Sequence, residues 1–482
     1  MSTVISITGV KGLSKAEEDI FRELAAIYNQ HYASNRIKNK YYEGHVYLSD
    51  VNLGIALPES ISGLEIGCEW GAKTVDVLAS RSMFDGYVGT NGNSSETMGR
   101  IANDNRLISE YMKACKDELK YGCTFATLSK DPRIGCKIRF HSPETAAAKW
   151  NGKEGRIECG LAIIDTRQDN EDRSWRPSIL NMYTDNAVYV LQKDNGNTWK
   201  ADKYDNPMGR PLMEPLVWNA TSNKPFGRSR IKSNVRHLIE GYVRTIANAT
   251  IGLEFSTTPQ KYLLGISDEQ YDALINQKFR QYVGSILTAT PNPETGENPE
   301  FGQLGQGNIE PHVQMMRMLA TQFSAASGLT VTDVGVVNDA NPTSSDAILA
   351  QSQTLVGLAE QLNTSNGDSL KMIARMAQAI AKNCRLEDLT DEENNVIAHF
   401  KNPAMPSVSV TADAAIKIAS VRPEFAGTDV FMEMIGFSQA DIRRVKAQEQ
   451  NQRGLQVLNM EILNENQSEN MEPVQETIIQ SE

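Results

Sequence analysis

The residues that could catalyse a reaction or bind a metal are widely spaced in this sequence. Its histidines stand at positions 31, 45, 141, 237, 312 and 399, and none of them has a ligand partner at the spacing of a metal site. The cysteines at 68, 115, 123, 136, 159 and 384 contain no Cys-x-x-Cys pair, which argues against zinc binding or a redox motif. We therefore predict reduced, buried thiols, no metal and no cofactor.

The motifs of the common phosphate-binding and hydrolytic enzymes are absent. There is no GxxxxGK[ST] loop, no HExxH helix and no GxSxG turn. The glycine-rich stretch 302–307 lacks the third glycine of a dinucleotide-binding turn, which favours a flexible loop. Acidic pairs such as Asp169/Asp172 and Glu392/Glu393 stand among loop residues. The sequence predicts a protein that is not an enzyme, with one alternative: a nucleic-acid-processing enzyme such as a metal-dependent nuclease, whose carboxylates meet only in the fold.

Positive charge is concentrated in one segment of an acidic chain. The net charge of −12 counts against a protein that grips nucleic acid with its whole surface. Between Pro225 and Gly252, however, Glu240 is the one acidic residue among several basic ones. These form a candidate basic collar: Arg228, Arg230, Lys232, Arg236 and Arg244. A solvated helix face and a contact with phosphate or acidic neighbours both remain open for it.

Helical periodicity predicts the elements that position this collar. A first helix runs from Ser14 to Ala33 with a capping box, and an amphipathic helix runs from Ser229 to Gly252. Another begins at Pro311 and ends at Ser327. After Asn341 the chain is helical to about Cys384, which at ~1.5 Å per residue spans roughly 60 Å. The segment between the second and third of these helices would form a tip, because the chain leaves on one and returns on the other.

Strand signals and composition complete the outline. Short runs between Lys137 and Trp218, separated by Asn, Asp and Gly turns, predict a mainly β region. With helices at 69–82 and 103–119 it would form an α+β domain. The 482 residues, 40% hydrophobic, can hold two or more domains. Since no stretch approaches the ~20 apolar residues of a membrane span, we expect a soluble protein made inside a cell.

Six short landmarks follow one another along most of the chain. They are Tyr41-Tyr42-Glu43-Gly44, Trp70 with Val75-Asp76-Val77-Leu78 and Arg81, Tyr121-Gly122-Cys123-Thr124-Phe125, Pro225-Phe226-Gly227-Arg228-Ser229-Arg230-Ile231, Gly305 to Pro311, and Asn341-Pro342-Thr343-Ser344. In this order and spacing they resemble the portal proteins of tailed bacteriophages, in the branch typical of long-tailed phages. Ser345 departs from the family pattern, which has alanine there.

The resemblance implies an α+β portal fold that assembles as a ring. Its parts would be a wing (1–224), a stem helix (225–252), a clip (253–309), a second stem helix (310–328), a tunnel loop (329–342), a long spine helix (343–384), a wing return segment (385–411), and a helical crown with an acidic tail (412–482). We expect that tail to be disordered, because it has too little apolar surface to offset its ordering entropy.

The resemblance also implies a function. The ring, a dodecamer, would be a channel at one capsid vertex of the virion, assembled in the host bacterial cytoplasm. A separate terminase motor would package double-stranded DNA through it, and the DNA would later be ejected the same way. The implied partners are further copies of the chain, DNA bound without sequence specificity, the terminase large subunit, the major capsid and scaffolding proteins, and a head-completion or connector protein. No membrane is involved.

The loop that follows the second stem helix is the candidate DNA contact. It contains no Lys or Arg that would clamp phosphates, and its small, apolar and neutral residues suit a sliding surface. The alternative is a connector buried inside one subunit, because β-branched residues also suit a buried strand. The candidate residues are Val331, Asp333, Val334, Gly335, Val336, Val337, Asn338, Asp339 and Asn341.

Overall fold

The structure is a computed structural model that describes most of the chain. It covers residues 4–5, 9–46, 66–89, 96–168, 173, 175–193, 198–257, 261–269, 272, 291, 293, 296, 298–303, 308–335, 345–404, 408–438, 441–442 and 444–456. Three predicted parts therefore lie outside the described residues, in whole or in large part: the middle of the clip, the loop after Gly335, and the acidic tail.

The described chain contains both helices and strands. In order they are β1 (Val10–Lys11), α1 (Lys15–Tyr42), α2 (Trp70–Ala79), β2 (Phe84–Val88), α3 (Glu96–Asp104), α4 (Leu107–Tyr121), β3 (Cys123–Asp131), β4 (Gly135–His141), β5 (Ala146–Asn151), β6 (Arg156–Gln168), β7 (Trp175–Tyr183), β8 (Ala187–Lys193), β9 (Trp199–Asp205), β10 (Met213–Val217), α5 (Ser233–Thr257), β11 (Lys261–Leu264), β12 (Glu300–Gln303), α6 (Glu310–Ser327), α7 (Ser345–Lys382), α8 (Asp391–Asn394), β13 (Ile397–Phe400), α9 (Val408–Val421) and α10 (Asp429–Ile435). This mixture of helices and sheets confirms the predicted α+β class.

The largest sheet has six strands in the order β1-β9-β8-β7-β6-β5. Its pairs are antiparallel except β1 with β9, which run parallel. The strands predicted between 157 and 203 lie within β6 to β9. Helix α1 covers one face, where Phe21 and Leu24 join Leu161 and Leu180 in a core. The Tyr28 hydroxyl also donates a hydrogen bond to the Glu144 carbonyl, at 2.7 Å.

Helix α1 starts where the sequence predicted and ends later. Ser14 and Glu17 form the capping box. The helix then continues to Tyr42, because Asn35 and Tyr41 extend its buried face beyond the predicted end at Ala33. Its last turn lies against the start of α2 so closely that a Cβ on Gly71 would stand 2.0 Å from the Tyr41 carbonyl oxygen. Glycine at 71 is therefore a packing requirement.

Helix α7 has 38 residues, about 57 Å of rise, and crosses the three-stranded sheet β10-β3-β4. It stays helical from Asn363 to Gly367, although Asn, Thr, Ser and Gly are poor helix formers. Serine hydroxyls in this segment and just after it donate hydrogen bonds to the sheet. Ser365 Oγ donates to the Val217 carbonyl at 3.0 Å, and Ser369 Oγ donates to the Pro215 carbonyl at 2.8 Å. The hydroxyls thus satisfy carbonyls of the edge strand β10.

A fully buried carboxyl joins α7 to α4. Asn366 Nδ2 donates to Glu118 Oε2 at 2.8 Å and to the Tyr111 hydroxyl at 2.9 Å. Tyr111 shares a further hydrogen bond of 2.7 Å with Ser82. Burial raises the pKa of Glu118 to about 8, because no cation compensates the loss of water around its charged form.

We expect this carboxyl to make the protein less stable as the pH rises. Between the ordinary pKa of 4.5 and about 8, the unfolded chain loses a proton that folded Glu118 retains, so the free energy of unfolding falls through that window. Glu118→Gln replaces the carboxyl group with an amide of nearly the same shape, so the side chain can no longer ionise. Its melting temperature, followed by calorimetry, should fall less between pH 5 and pH 8 than that of the unchanged protein.

Glu110→Gln is the matched control, since Glu110 is an exposed carboxylate on the same helix in a surface ion pair of little energetic weight. It should follow the pH dependence of the unchanged protein. Equal pH dependence of the Glu118→Gln variant and the unchanged protein would contradict the assignment.

Candidate functional site

The residues predicted to have a function lie just before α5, on α5 and in the loop after α6. Across the described ranges, no three or more His, Cys, Asp or Glu side chains stand close enough together to hold a metal ion. Over the same ranges, no helix is long and apolar enough to cross a membrane.

Helices α5 and α6 pack side by side. The sequence predicted this arrangement, because the chain leaves on one helix and returns on the other. A buried stripe on α5 repeats every four residues, and it meets a buried apolar patch on α6. Trp70 of α2 stands at the base of the pair, with its ring centroid 4.2 Å from Tyr242 of α5 and 4.6 Å from Phe323 of α6. The stripe and the patch consist of Val235, Ile239, Val243 and Ala247 on α5, and Leu319, Ala320 and Phe323 on α6.

Arg230 is buried at this base, which corrects its place in the predicted collar. Helix α5 begins at Ser233 and not at Ser229, so Arg230 precedes it and turns inward. Its Nε donates to the Thr74 carbonyl at 2.6 Å, and Nη2 donates to the Ser327 carbonyl at the end of α6. The guanidinium also lies over the Trp218 ring, 5.6 Å from its centroid. Burial lowers the pKa of Arg230 to about 10.

Three other collar residues line one groove. Arg228 and Lys232 are exposed, and Arg236 lies over the Tyr41 ring, 5.7 Å from its centroid. The groove, about 600 Å³ in volume, runs between α1 and residues 224–236. We call it the basic groove, lined by the cationic side chains of Lys38, Lys224, Arg228, Lys232 and Arg236. Arg244 is exposed two turns further along α5, outside the groove.

Lys38 is a groove residue that the sequence did not indicate. Near the end of α1, Lys38 is half-buried and Tyr41 is buried. Lys38 Nζ reaches the Tyr121 carbonyl at 3.2 Å and Asn35 Oδ1 at 3.3 Å. Burial and, more weakly, the charge of Arg236 lower the pKa of Lys38. The sequence mixes basic and aromatic residues around Lys38, but this pattern does not show which side chains are buried.

The start of the loop after α6 is held inside the subunit. Thr330 donates to Asp333 Oδ2 from its hydroxyl at 2.8 Å and from its backbone N–H at 3.0 Å. Lys73 Nζ donates to the main-chain oxygen of Asp333 at 2.7 Å. Val334 is buried in the main core. Asp333 and Val334 therefore both contact their own chain, and the contact of this loop with DNA stays a prediction.

The other loop candidates have different positions. Val331 is half-buried and Gly335 is exposed with a positive φ of 92°. Val336, Val337, Asn338, Asp339 and Asn341 lie outside the described residues.

Comparison with known proteins gives one family match. The family model described as "Phage portal protein, SPP1 Gp6-like" matches residues 18–452. No curated protein sequence matches the chain.

Two solved structures illustrate the similarity at the level of coordinates. A chain in "Neck of empty GTA particle computed with C6 symmetry" is 12% identical, with a TM-score of 0.45 over 79% of this chain and 90% of that one. A chain in "Neck of native GTA particle computed with C12 symmetry" is 12% identical, with a TM-score of 0.41 over 82% of this chain and 99% of that one.

Removing the Arg230 guanidinium should destabilise the base of the paired helices. Arg230→Met keeps the length of the side chain but removes the hydrogen bonds to the Thr74 and Ser327 carbonyls. Loss of this donor at the Ser327 carbonyl, at the end of α6, should cost about 1–3 kcal/mol. We expect a clear drop in melting temperature, and a smaller one for Arg230→Lys, which keeps a single donor group. The exposed turn residue Arg133 supplies the control, since Arg133→Met should change stability by no more than about 0.5 kcal/mol. An unchanged melting temperature for Arg230→Met would refute this role.

Proposed function

Because its family model matches residues 18–452, the chain belongs to the SPP1 Gp6-like phage portal proteins, and we propose that its copies form the ring through which double-stranded DNA enters and leaves a phage head. In this proposal the ring occupies one capsid vertex of the virion and is assembled in the host cytoplasm. A separate terminase packages the DNA, and a head-completion protein docks afterwards. The ring itself supplies the conduit and performs no catalysis.

The exposed apolar surface of the last described helices carries this proposal. Of the side chains described between residues 411 and 456, Ala415 and Ile442 are the buried ones. Large apolar side chains in the same range are exposed, with Ile416 at 61% and Val421 at 80%. Helices that bury so little cannot form a core from one copy, and adjacent copies in a ring provide the missing neighbours.

The predicted parts correspond to described elements in the following way. Helices α5 and α6 form the stem, α7 forms the spine, and the hairpin β11–β12 belongs to the clip. The six-stranded sheet with α1 to α4 forms the wing, β13 forms its return segment, and α9 and α10 belong to the crown.

A second apolar surface lies on the stem. Met315 and Met318 stand one turn apart on α6 and are 41% and 48% exposed. Arg317 is the one charged residue near them on this helix beyond its first turn. Methionines adapt their shape readily, so they suit a contact between adjacent stems. We assign this surface to the interface between copies.

The channel contact is assigned to the later part of the loop. Asp333 and Val334 anchor its start, which leaves Val336, Val337, Asn338, Asp339 and Asn341 as the candidates that touch DNA, with Gly335 at the point of departure. The support for this assignment is compositional, since these residues include no Lys or Arg that would bind phosphate strongly.

We predict that Met315→Gln combined with Met318→Gln weakens the ring without unfolding the subunit. Both side chains are exposed in the single chain, and glutamine preserves their length and helix propensity. Light scattering should show a large closed assembly for the unchanged protein and a shift to smaller species for the variant, at equal helix content by circular dichroism. Gln314→Glu on the same helix controls for surface changes that remove no apolar area. A methionine variant that keeps the original particle mass would exclude this interface.

The clip hairpin should be needed for docking and not for assembly. Leu264 is 56% exposed on β11 and Phe301 is 50% exposed on β12, so the described tip offers apolar surface to a partner. We expect Leu264→Ser with Phe301→Ser to leave ring mass unchanged while abolishing terminase-dependent packaging or head completion. Tyr204→Ser, at an exposed aromatic on β9, serves as the control. Normal yield of filled heads from the double variant would rule out the clip as the docking surface.

A further inference from the structure

The basic groove has no role in the proposed channel. Its walls are α1 on one side and residues 224–236 on the other, with the first residues of β3 and β5 beneath. It is open to solvent and lies outside the contact between α5 and α6. Its volume of about 600 Å³ falls within the range of binding clefts for extended ligands.

The charge of the groove has one sign. Its lining includes Lys38, Lys224, Arg228, Lys232 and Arg236 and contains no Asp or Glu. Within the described chain, none of these five cations forms an ion pair with a carboxylate. Arg236 Nε is buried and has no hydrogen-bond partner there. In a chain of net charge −12, this concentration of cations without carboxylate partners favours a negatively charged occupant.

The floor of the groove is apolar. Ile27, Phe125, Phe226 and Ala147 line it, beneath the cationic rim. Nucleic acid would place phosphates and sugars against such a floor and leave it without apolar contacts. A peptide that carries both carboxylates and apolar side chains matches the floor and the rim together.

We propose that the basic groove binds the C-terminal segment of this chain, residues 457–482. This segment contains Glu461, Glu465, Glu469, Glu472, Glu476 and Glu482 and no Lys or Arg. Apolar residues, among them Leu458, Ile462, Leu463, Val474 and Ile478, are interspersed with the glutamates. The composition of the segment therefore combines the negative charge and the apolar side chains that the groove would bind.

The extended length of the segment is several times the separation between β13 and the groove. Its 26 residues span up to about 85 Å when extended. Helix α4 links the two places. The ring of Tyr111 lies 5.8 Å from that of Phe400 on β13, and Tyr121, at the end of the same helix, lines the groove. Those ten residues of helix rise about 15 Å. The strand that leads into the last described helices therefore lies close to the groove of its own copy.

Photocrosslinking in the full-length chain tests the proposal. A benzoylphenylalanine placed at Leu463 or at Ile478 is irradiated, and mass spectrometry locates the crosslinked peptides. We expect crosslinks to residues 27–38, 146–148 and 224–236. Mixing isotope-labelled with unlabelled copies shows whether the segment binds its own subunit or an adjacent one.

Two variants separate binding from misfolding. Arg228→Glu with Lys232→Glu changes exposed groove residues and should reduce the groove crosslinks about tenfold or more. Changing Glu461, Glu465, Glu469 and Glu472 to Gln should have the same effect without touching the folded body. The matched control, Arg133→Glu with Lys153→Glu, reverses two charges on exposed turns outside the groove and should leave the crosslinks unchanged.

The outcomes are distinct. Crosslinks that map elsewhere, or that survive both variants, overturn the proposal. A third outcome is that the unchanged protein binds a 30-base-pair duplex, the variant Arg228→Glu with Lys232→Glu does not, and no tail crosslinks form. This outcome assigns the groove to phosphate and also overturns the proposal. Particle mass by light scattering is recorded in parallel, so a failure of ring assembly is distinguishable from a failure of the tail to bind.

Discussion

One buried cation holds together the place where the paired helices meet the body. Arg230 bonds to carbonyls of α2 and of the end of α6, and it lies over Trp218. A guanidinium without a carboxylate partner is costly to bury, so it is tolerated only where carbonyl dipoles and an aromatic face replace water. The carbonyl at the C-terminal end of α6 is such a site, because the helix dipole makes that end negative. The direction of the stem relative to the body therefore depends on this contact and on the Trp70 stack beside it.

The body and its extensions differ in how much they can stabilise themselves. The six-stranded sheet, the three-stranded sheet and α7 bury continuous apolar cores within one copy. The last helices and the outer face of α6 leave large apolar side chains in solvent. In the proposed ring, a subunit of this kind folds its body alone and completes its extensions against other copies. Assembly and folding are then coupled at the periphery and independent at the centre.

Charge is distributed as unevenly as apolar surface. The chain is acidic overall, yet α1 and the residues before α5 collect cations around one groove. The sequence predicted three of these cations, with Arg230 and Arg244, as a basic collar on a stem helix. The fold turns one of them inward, gathers three of them with Lys38 and Lys224, and leaves Arg244 apart. This rearrangement follows from the late start of α5, since residues 228–232 are outside the helix and can face different ways.

Local chemistry by itself determined the elements of this protein. The capping box at Ser14, the proline at the start of α6 and the alternation of strands between 157 and 203 depend on neighbours a few residues away, so the sequence predicted them and the structure confirms them. Burial of particular polar and charged groups was decided only by the tertiary structure. Arg230 is placed by carbonyls 156 and 97 residues distant, and Lys38 by one 83 residues distant. Val334 is buried because distant core residues surround it. Periodicity describes one element at a time, and it contains no information about which distant backbone groups will be close enough to replace water.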